Sequence, residues 1–214
     1  RSLVGSEMCI RDSDYTLVNS EKGIVMCFEM LLADEGYPPQ SKELICSTIG
    51  KTMMDAMSIV TGETERGKLA KLVRLYKVRY SDTYMTANTH LYAEARPTLE
   101  RLKQSGARCC IVSTKTRSRI NETLVRDKLE SLIDCVIGIE DVTEAKPDPQ
   151  GIHMIMDRYG LKPQDILYIG DSLIDAETAE RAGVDFAAVT TGATPASAFT
   201  THSRIKIMHD LSEL

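Results

Sequence analysis

Beyond about residue 105 the chain alternates two patterns. Short apolar runs are followed by longer stretches whose apolar residues recur every three or four positions. Ala107 to Val112, Ile133 to Ile137, Ile166 to Ile169 and Phe186 to Val189 are the short runs and predict buried strands. Between them, one helical stretch runs through Ile120, Leu124 and Leu129. Gly151 to Tyr159 is a second, with Ile152, Ile155, Met156 and Tyr159 on one face and Gly160 as its stop. Leu173 to Ala182 is a third, ending at Gly183. Strands alternating with helices predict a parallel sheet covered by helices, an α/β fold. Ligands of such sheets bind beyond the carboxyl ends of the strands.

Gly23 to Leu102 follows a different rule. Val25, Phe28, Leu31 and Leu32 mark one helix, and Ser41 caps a second through Leu44 and Ile45. Thr52 to Val60 predicts a third helix. Leu69, Leu72, Val73, Tyr76 and Tyr80 predict a long fourth, with Lys and Arg on its other face. No strand is expected here, so the stretch reads as a helical insert between the first two strands. Met53, Met54 and Met57 read as core filler, and the basic residues from Lys68 to Arg79 as a solvated face.

Composition narrows the class. The chain has 214 residues, which suits one domain carrying a smaller insert. A net charge of −5 argues against a nucleic-acid binder. The 6 cysteines form no C-x-x-C pair and several lie in apolar runs, so they are expected to be reduced core thiols of a cytoplasmic protein. Cys109 and Cys110 adjoin in a strand and should point to opposite faces. No run is long enough to span a membrane, and no signal peptide is visible.

Four polar motifs fall at the predicted strand ends. In Gly170-Asp171-Ser172-Leu173-Ile174-Asp175, two carboxylates four residues apart can share one helix face. Crowded acids repel unless a cation sits between them, and hard oxygen ligands suit Mg²⁺. The competing reading is an ordinary N-cap at Asp171 or Ser172. Asp12-Ser13-Asp14 places two aspartates where one can attack phosphorus and the next can handle protons. Ser113 ends a strand, and its hydroxyl with the following helix amides can hold a phosphate; it too can be only an N-cap. Lys146-Pro147-Asp148-Pro149 puts a lysine in a stiff loop, where it can neutralise a nucleophile and a phosphoryl oxygen together. As plain chemistry the same tetrapeptide makes a good surface turn.

The order and placement of the four motifs resemble the haloacid dehalogenase-like hydrolase superfamily, in the branch with a helical cap inserted after the first motif. The stretches "IVSTKTRSRI", "AKPDPQGI" and "LYIGDSLIDAETAERAGV" are most similar to phosphoglycolate phosphatases and the related pyrophosphatases. The resemblance implies a Rossmann-like parallel core over residues 1–18 and 97–214, with a cap over 19–96. It implies Asp12 as a nucleophile that also binds Mg²⁺, and Asp14 as general acid/base whose main-chain carbonyl binds the metal. Thr16 would steady that loop. Ser113, with Thr114 beside it, and Lys146 would bind phosphate. Asp171 would be a direct metal ligand, and Asp175 its partner or the group that orients Lys146. An acid at position 14 also argues against dehalogenation, which needs no leaving-group proton.

The chain departs from that pattern at its first strand. Glu7-Met8-Cys9-Ile10-Arg11 carries Arg11 where a large apolar residue is expected. The segment "SLVGSEMCIRDS" resembles translated sequencing-adapter sequence, and residues up to about 11–13 are expected to be foreign to the natural chain. Tyr15 stands where glycine is commonest, and the cap's exit lacks the usual proline-glycine turn. Lys51, after Gly50, matches the cap loop and is the candidate for a substrate carboxylate or second phosphate; the competing reading is a solvated surface lysine. Arg117 and Arg119 are candidate anion contacts. His90, His153, His202 and His209 have no ligand spacing and no expected role.

These features lead to a Mg²⁺-dependent phosphatase acting on a small phosphorylated metabolite through an aspartyl-phosphate. No nucleic-acid or membrane partner is expected, and the protein is a monomer or a homodimer. The alternatives are an inorganic pyrophosphatase, a sugar-phosphate mutase, or a catalytically impaired binding domain. A receiver domain lacks the helical insert, and neither G-x-G-x-x-G nor a P-loop is present.

Overall fold

The computed structural model describes residues 8–201 and 206–214. The chain forms two compact units: residues up to Val18 with Leu91–Leu214, and Asn19–His90. The first is built on six parallel strands in the order β5-β4-β1-β6-β7-β8. They are β1 Met8–Arg11, β4 Arg108–Val112, β5 Cys135–Ile137, β6 Ile166–Gly170, β7 Asp185–Val189 and β8 Lys206–Met208. Two further strands, β2 Val18–Asn19 and β3 His90–Leu91, are two residues each.

Both faces of the sheet are buried, as a parallel sheet requires. Met8, Ile10, Cys110 and Tyr168 face α8 (Gln150–Tyr159) and α9 (Leu173–Ala182), joining Ile152, Ile155, Ala176 and Ala179. Cys9, Cys109, Ile111, Leu167 and Ile169 face the opposite way, against Leu99 of α6 (Ala95–Gln104) and Ile120 and Leu124 of α7 (Arg117–Arg126). Cys109 and Cys110 thus separate to opposite faces, as the period of two demands. Gly160 and Gly183 end α8 and α9 with φ of 66° and 70°, the left-handed conformation that glycine adopts freely.

Four boundaries differ from expectation. Met8–Arg11 forms a full strand at the sheet centre despite its arginine. α7 stops at Arg126, and Leu129 packs from beyond it after Lys128 turns at φ 52°. β8 has no strong apolar run and escapes sequence reading; only Met208 of its three residues is buried. The chain rejoins the sheet unit at Leu91, ahead of the expected Pro97. Tyr92 N–H donates to Leu17 O at 3.0 Å, and Ala95 is buried beside Leu99.

The second unit is helical: α1 Glu21–Asp34, α2 Lys42–Cys46, α3 Met53–Thr61, α4 Arg66–Leu75 and α5 Asp82–Tyr84. Ser41 and Thr52 cap α2 and α3 through their hydroxyls. The expected long fourth helix is α4 followed by a π-helical turn over Tyr76–Ser81. Phe28, Leu31, Met57, Leu72 and Tyr76 form its core, with the Phe28 and Tyr76 rings 4.8 Å apart. His90–Leu91, at its end, is a strand where none was expected. Among the described residues no helix is long and apolar enough to cross a membrane.

Candidate active site

Three neighbouring strands each end in a residue that carries chemistry. Asp12 follows β1, Ser113 follows β4 and Asp171 follows β6. The sheet order places these ends side by side, with β1 between the other two. Carboxylate oxygens of Asp12, Asp171 and Asp175 lie within 4.8 Å of one another, and all three residues are buried. Lys146, from the loop after β5, places Nζ 3.0 Å from Asp12 Oδ2 and 2.7 Å from Asp175 Oδ1. The peptide bond from Lys146 to Pro147 is cis.

Asp175 fixes this arrangement. Its Oδ1 accepts from Lys146 Nζ and from the Tyr168 hydroxyl at 3.0 Å. Its Oδ2 accepts from the Ser172 hydroxyl at 2.5 Å and the Ser172 amide at 3.2 Å. The Ser172 hydroxyl accepts in turn from the Asp175 amide, closing a capping box at the start of α9. The N-cap reading of this motif therefore holds for Ser172, while Asp171 and Asp175 lie together in the buried acidic cluster. Asp175 thus carries four donors on its two oxygens, which suits it to orient Lys146 more than to meet a cation.

Burial and crowding set the electrostatics. Burial, opposed by Lys146 and reinforced by Asp175 and Asp14, pushes the Asp12 carboxyl up to about 6. Burial, then Asp175 and Asp12, holds Asp171 well above the usual carboxylate range. Burial works against the Lys146 ammonium, but Asp12 and Asp175 outweigh it and keep Lys146 above its ordinary value. One lysine thus stands among three carboxylates that are costly to ionise together. That imbalance is what a divalent cation relieves, and the all-oxygen donor set is the one Mg²⁺ takes.

The other expected residues fall as follows. The Asp14 carboxylate lies outside the acidic cluster and accepts from Lys115 Nζ at 2.6 Å. Ser113 is buried, its hydroxyl accepts from Lys115 N–H at 3.4 Å, and it helps to lower the Asp12 carboxyl against burial. It does not cap a helix: α7 begins after Thr116, and Thr114 lies half-buried between them. The expectation that the α7 amides receive phosphate is corrected for the first of them, because Arg117 N–H donates to both Glu140 oxygens at 2.9 and 3.1 Å. The candidate anion contacts are ion-paired, Arg117 with Asp141 and Arg119 with Glu122. Thr16 is buried, but its hydroxyl has no partner among the described residues, so it does not steady the loop by a hydrogen bond. Tyr15 holds φ 53°, which explains why glycine suits that position. Lys51 lies half-buried in the helical unit, just ahead of α3. His90, His153 and His209 are exposed, and His202 lies outside the described residues, as do residues 1–7 of the adapter-like segment.

Sequence reasoning missed four contributors. Tyr168 was read as an ordinary strand residue, although a phenol in a strand buried on both faces must find a partner. Lys115, inside the stretch "IVSTKTRSRI", gives no sign in sequence of its pairing with Asp14. Gly170 and Gly192 press on the acids: a Cβ on Gly170 would lie 2.4 Å from the Asp175 Cγ, and one on Gly192 would lie 1.9 Å from Asp171 Oδ2. Nothing in the sequence around Gly192 signals this.

Known proteins carry the same architecture. The profile of the haloacid dehalogenase-like hydrolases matches residues 9–189. A solved haloacid dehalogenase-like hydrolase from Bacteroides fragilis superposes with a TM-score of 0.94 at 41% identity, covering 97% of this chain and 99% of that one. The phosphoglycolate phosphatase of Aliivibrio fischeri is 29% identical over 85% of this chain and 82% of its own length. Pyrophosphatase PpaX of Oceanobacillus iheyensis is 29% identical over 83% of this chain and 80% of its own. With its profile match spanning most of the sheet unit and all of the helical one, the chain belongs to the haloacid dehalogenase-like hydrolases.

Proposed function

We propose that this hydrolase releases phosphate from a small phosphomonoester, with Asp12 as nucleophile. The observation that carries the reading is the setting of Asp12. It is buried, takes the Ser13 N–H on Oδ1 at 2.7 Å, lies within 3.0 Å of Lys146 Nζ, and sits beside Asp171 and Asp175. Asp14 follows two residues later, tied to Lys115.

In the first half-reaction an Asp12 oxygen attacks phosphorus while the bond to the leaving oxygen breaks. Asp14 delivers a proton to that oxygen. In the second, water attacks the aspartyl-phosphate, Asp14 takes the water proton, and the bond from Asp12 to phosphorus breaks to release phosphate. Lys146, held by Asp175 and Tyr168, balances charge at Asp12 and on the transferring group. Ser113 and Thr114 are assigned to the phosphoryl oxygens. Asp12 and Asp171 would hold Mg²⁺, with Asp175 behind them and the Asp14 carbonyl as the resemblance implies. When bound, the ion screens the negative charge of the phosphoryl oxygens.

A second reading has equal support in sequence similarity. Phosphoglycolate phosphatase and pyrophosphatase relatives match at the same 29% identity. Phosphate release with Mg²⁺ should be followed on p-nitrophenyl phosphate, 2-phosphoglycolate and pyrophosphate. The phosphomonoester reading expects kcat/KM for phosphoglycolate to exceed that for pyrophosphate. The reverse order would replace it with the pyrophosphatase reading, and no turnover of any of the three compounds by folded protein would overturn both.

A further inference from the structure

Away from the carboxylates, the edge of the sheet holds a pair of thiols. β5 is an edge strand, and its first residue, Cys135, is the in-register partner of Cys110 on β4. Both side chains lie in the cluster beneath α8. Neighbouring strands run about 4.8 Å apart, inside the Cα separation that a disulfide spans. From α8, Arg158 Nη1 donates to Cys135 Sγ at 3.4 Å. The Arg158 guanidinium lies 5.5 Å from the Tyr159 ring centroid, and the Tyr159 hydroxyl donates to Asp134 O at 3.2 Å. Cys135 also lines a cleft of about 460 Å³ with Arg117, Asn121, Asp134 and Arg158. Interaction with the neighbouring Cys110 thiol pulls the Cys135 thiol down to about 6; burial opposes this and Arg158 adds to it. The same interaction, with burial, pushes Cys110 up.

The molecule carries its own control. Cys9 and Cys109 are also register partners, beside Arg11. They lie at the centre of the sheet, and burial pushes Cys109 up.

We propose that Cys135 and Cys110 form a dithiol modification site for small hydroperoxides. The Cys135 thiolate attacks one peroxide oxygen, the O–O bond breaks, and the departing hydroxide takes up a proton as water. Cys135 is then a sulfenic acid. Cys110 gives up its proton and attacks that sulfur, the S–O bond breaks, and the second hydroxide leaves as water with that proton. Two thiols are oxidised to one disulfide, and one hydrogen peroxide is reduced to two waters.

The test treats the reduced full chain with stoichiometric hydrogen peroxide near pH 7, alkylates remaining thiols with N-ethylmaleimide and maps peptides by mass spectrometry. The expected product is a Cys110–Cys135 cross-linked peptide lighter by two hydrogens. It should form about tenfold or more faster than any change at Cys9 or Cys109, following thiolate content. Cys110→Ser should stop the reaction at a Cys135 sulfenic acid that dimedone traps. Arg158→Gln, at an exposed position of α8, should leave the fold intact and slow cross-linking severalfold. Oxidation of Cys9 or Cys109 at an equal rate would overturn the proposal. So would an unmodified Cys135 in the oxidised protein, or an unchanged rate in Arg158→Gln.

Discussion

β1 and β6 are neighbours in the sheet, both buried on both faces, and each is followed directly by an aspartate of the site. In chemistry they differ. β6 reads Ile166-Leu167-Tyr168-Ile169-Gly170, and its one polar tip, the Tyr168 hydroxyl, bonds Asp175. β1 ends in Arg11, fully buried, in register with Ile169 on one side and Ile111 on the other. Its guanidinium donates to Cys9 Sγ at 3.1 Å, while Nε and Nη1 have no partner among the described residues. A strand can thus be held at the sheet centre by its two ladders while its own side chain opposes burial. The same contrast runs through the turns that follow. The turn after β6 is closed by the Ser172–Asp175 capping box, whereas the turn after β1 holds Tyr15 at positive φ and a Thr16 hydroxyl with no partner among the described residues.

The most direct way to break the comparison is at the strand ends. If β1 delivers the nucleophile and β6 a metal ligand, Asp12→Asn should lower phosphate release by about 1000-fold or more at every Mg²⁺ concentration. Asp171→Asn should also cost activity, and part of that loss should be recovered at high Mg²⁺. Steady-state kinetics over a Mg²⁺ series separates the two. An Asp12→Asn enzyme that retains activity would mean that β1 does not serve the site.

The second test is on stability. Arg11→Leu should raise the unfolding free energy by about 2–4 kcal/mol, because it removes an uncompensated buried charge. Ile169→Ala, its register partner, should lower it by about 2–5 kcal/mol through the cavity it leaves. Urea unfolding with an unchanged m-value measures both. A destabilised Arg11→Leu would show that the guanidinium has a partner that matters.

Acidity gives the third. The folded state holds the Asp12 proton up to about 6, while the unfolded chain releases it near the ordinary carboxylate value. Folding is therefore favoured below about pH 4, and this contribution fades as pH rises through 6. In chelator the loss should be on the order of 2–3 kcal/mol across that window. Mg²⁺ should restore stability at pH 7.5 more than at pH 4.5, where protons already neutralise the site. Thermal melts at the two pH values, with and without Mg²⁺, check the sign. A stability that rises with pH in chelator would reverse the assignment.

Much of the sheet unit was legible because its helices and strands carry strong periods. The helix of Leu173 to Ala182 and its Gly183 stop were read residue for residue. β8 was not, because an edge strand with only Met208 buried writes no apolar run. Asp12, Ser113, Lys146 and Asp171 were legible as polar residues just past strands. The Lys115–Asp14 pair was not, because it joins residues 101 positions apart whose meeting depends on the ladder between β1 and β4. Gly192 was hidden for a similar reason: its requirement comes from Asp171, brought against it by the fold. The division of labour between the two acids of the last motif also needed coordinates. Spacing puts Asp171 and Asp175 together, but only the coordinates show the four donors around Asp175, the basis for assigning it the orienting role.

The smallest effects come from the two turns, and they should have opposite signs. Ser172→Ala removes the hydroxyl that both donates to Asp175 Oδ2 and accepts from its amide. Loss of such a cap costs about 1 kcal/mol. It also frees Asp175 to swing from Lys146, so activity should fall with stability. Thr16→Val removes a buried hydroxyl with no partner and keeps the branched shape. An unsatisfied buried hydroxyl costs about 1 kcal/mol or more, so this variant should gain up to about that amount. Because Thr16 touches the site through backbone geometry alone in this reading, kcat should stay within about twofold. A Thr16→Val variant that loses stability would show that the β1 turn hides a hydrogen bond, and the contrast between the two turns would close.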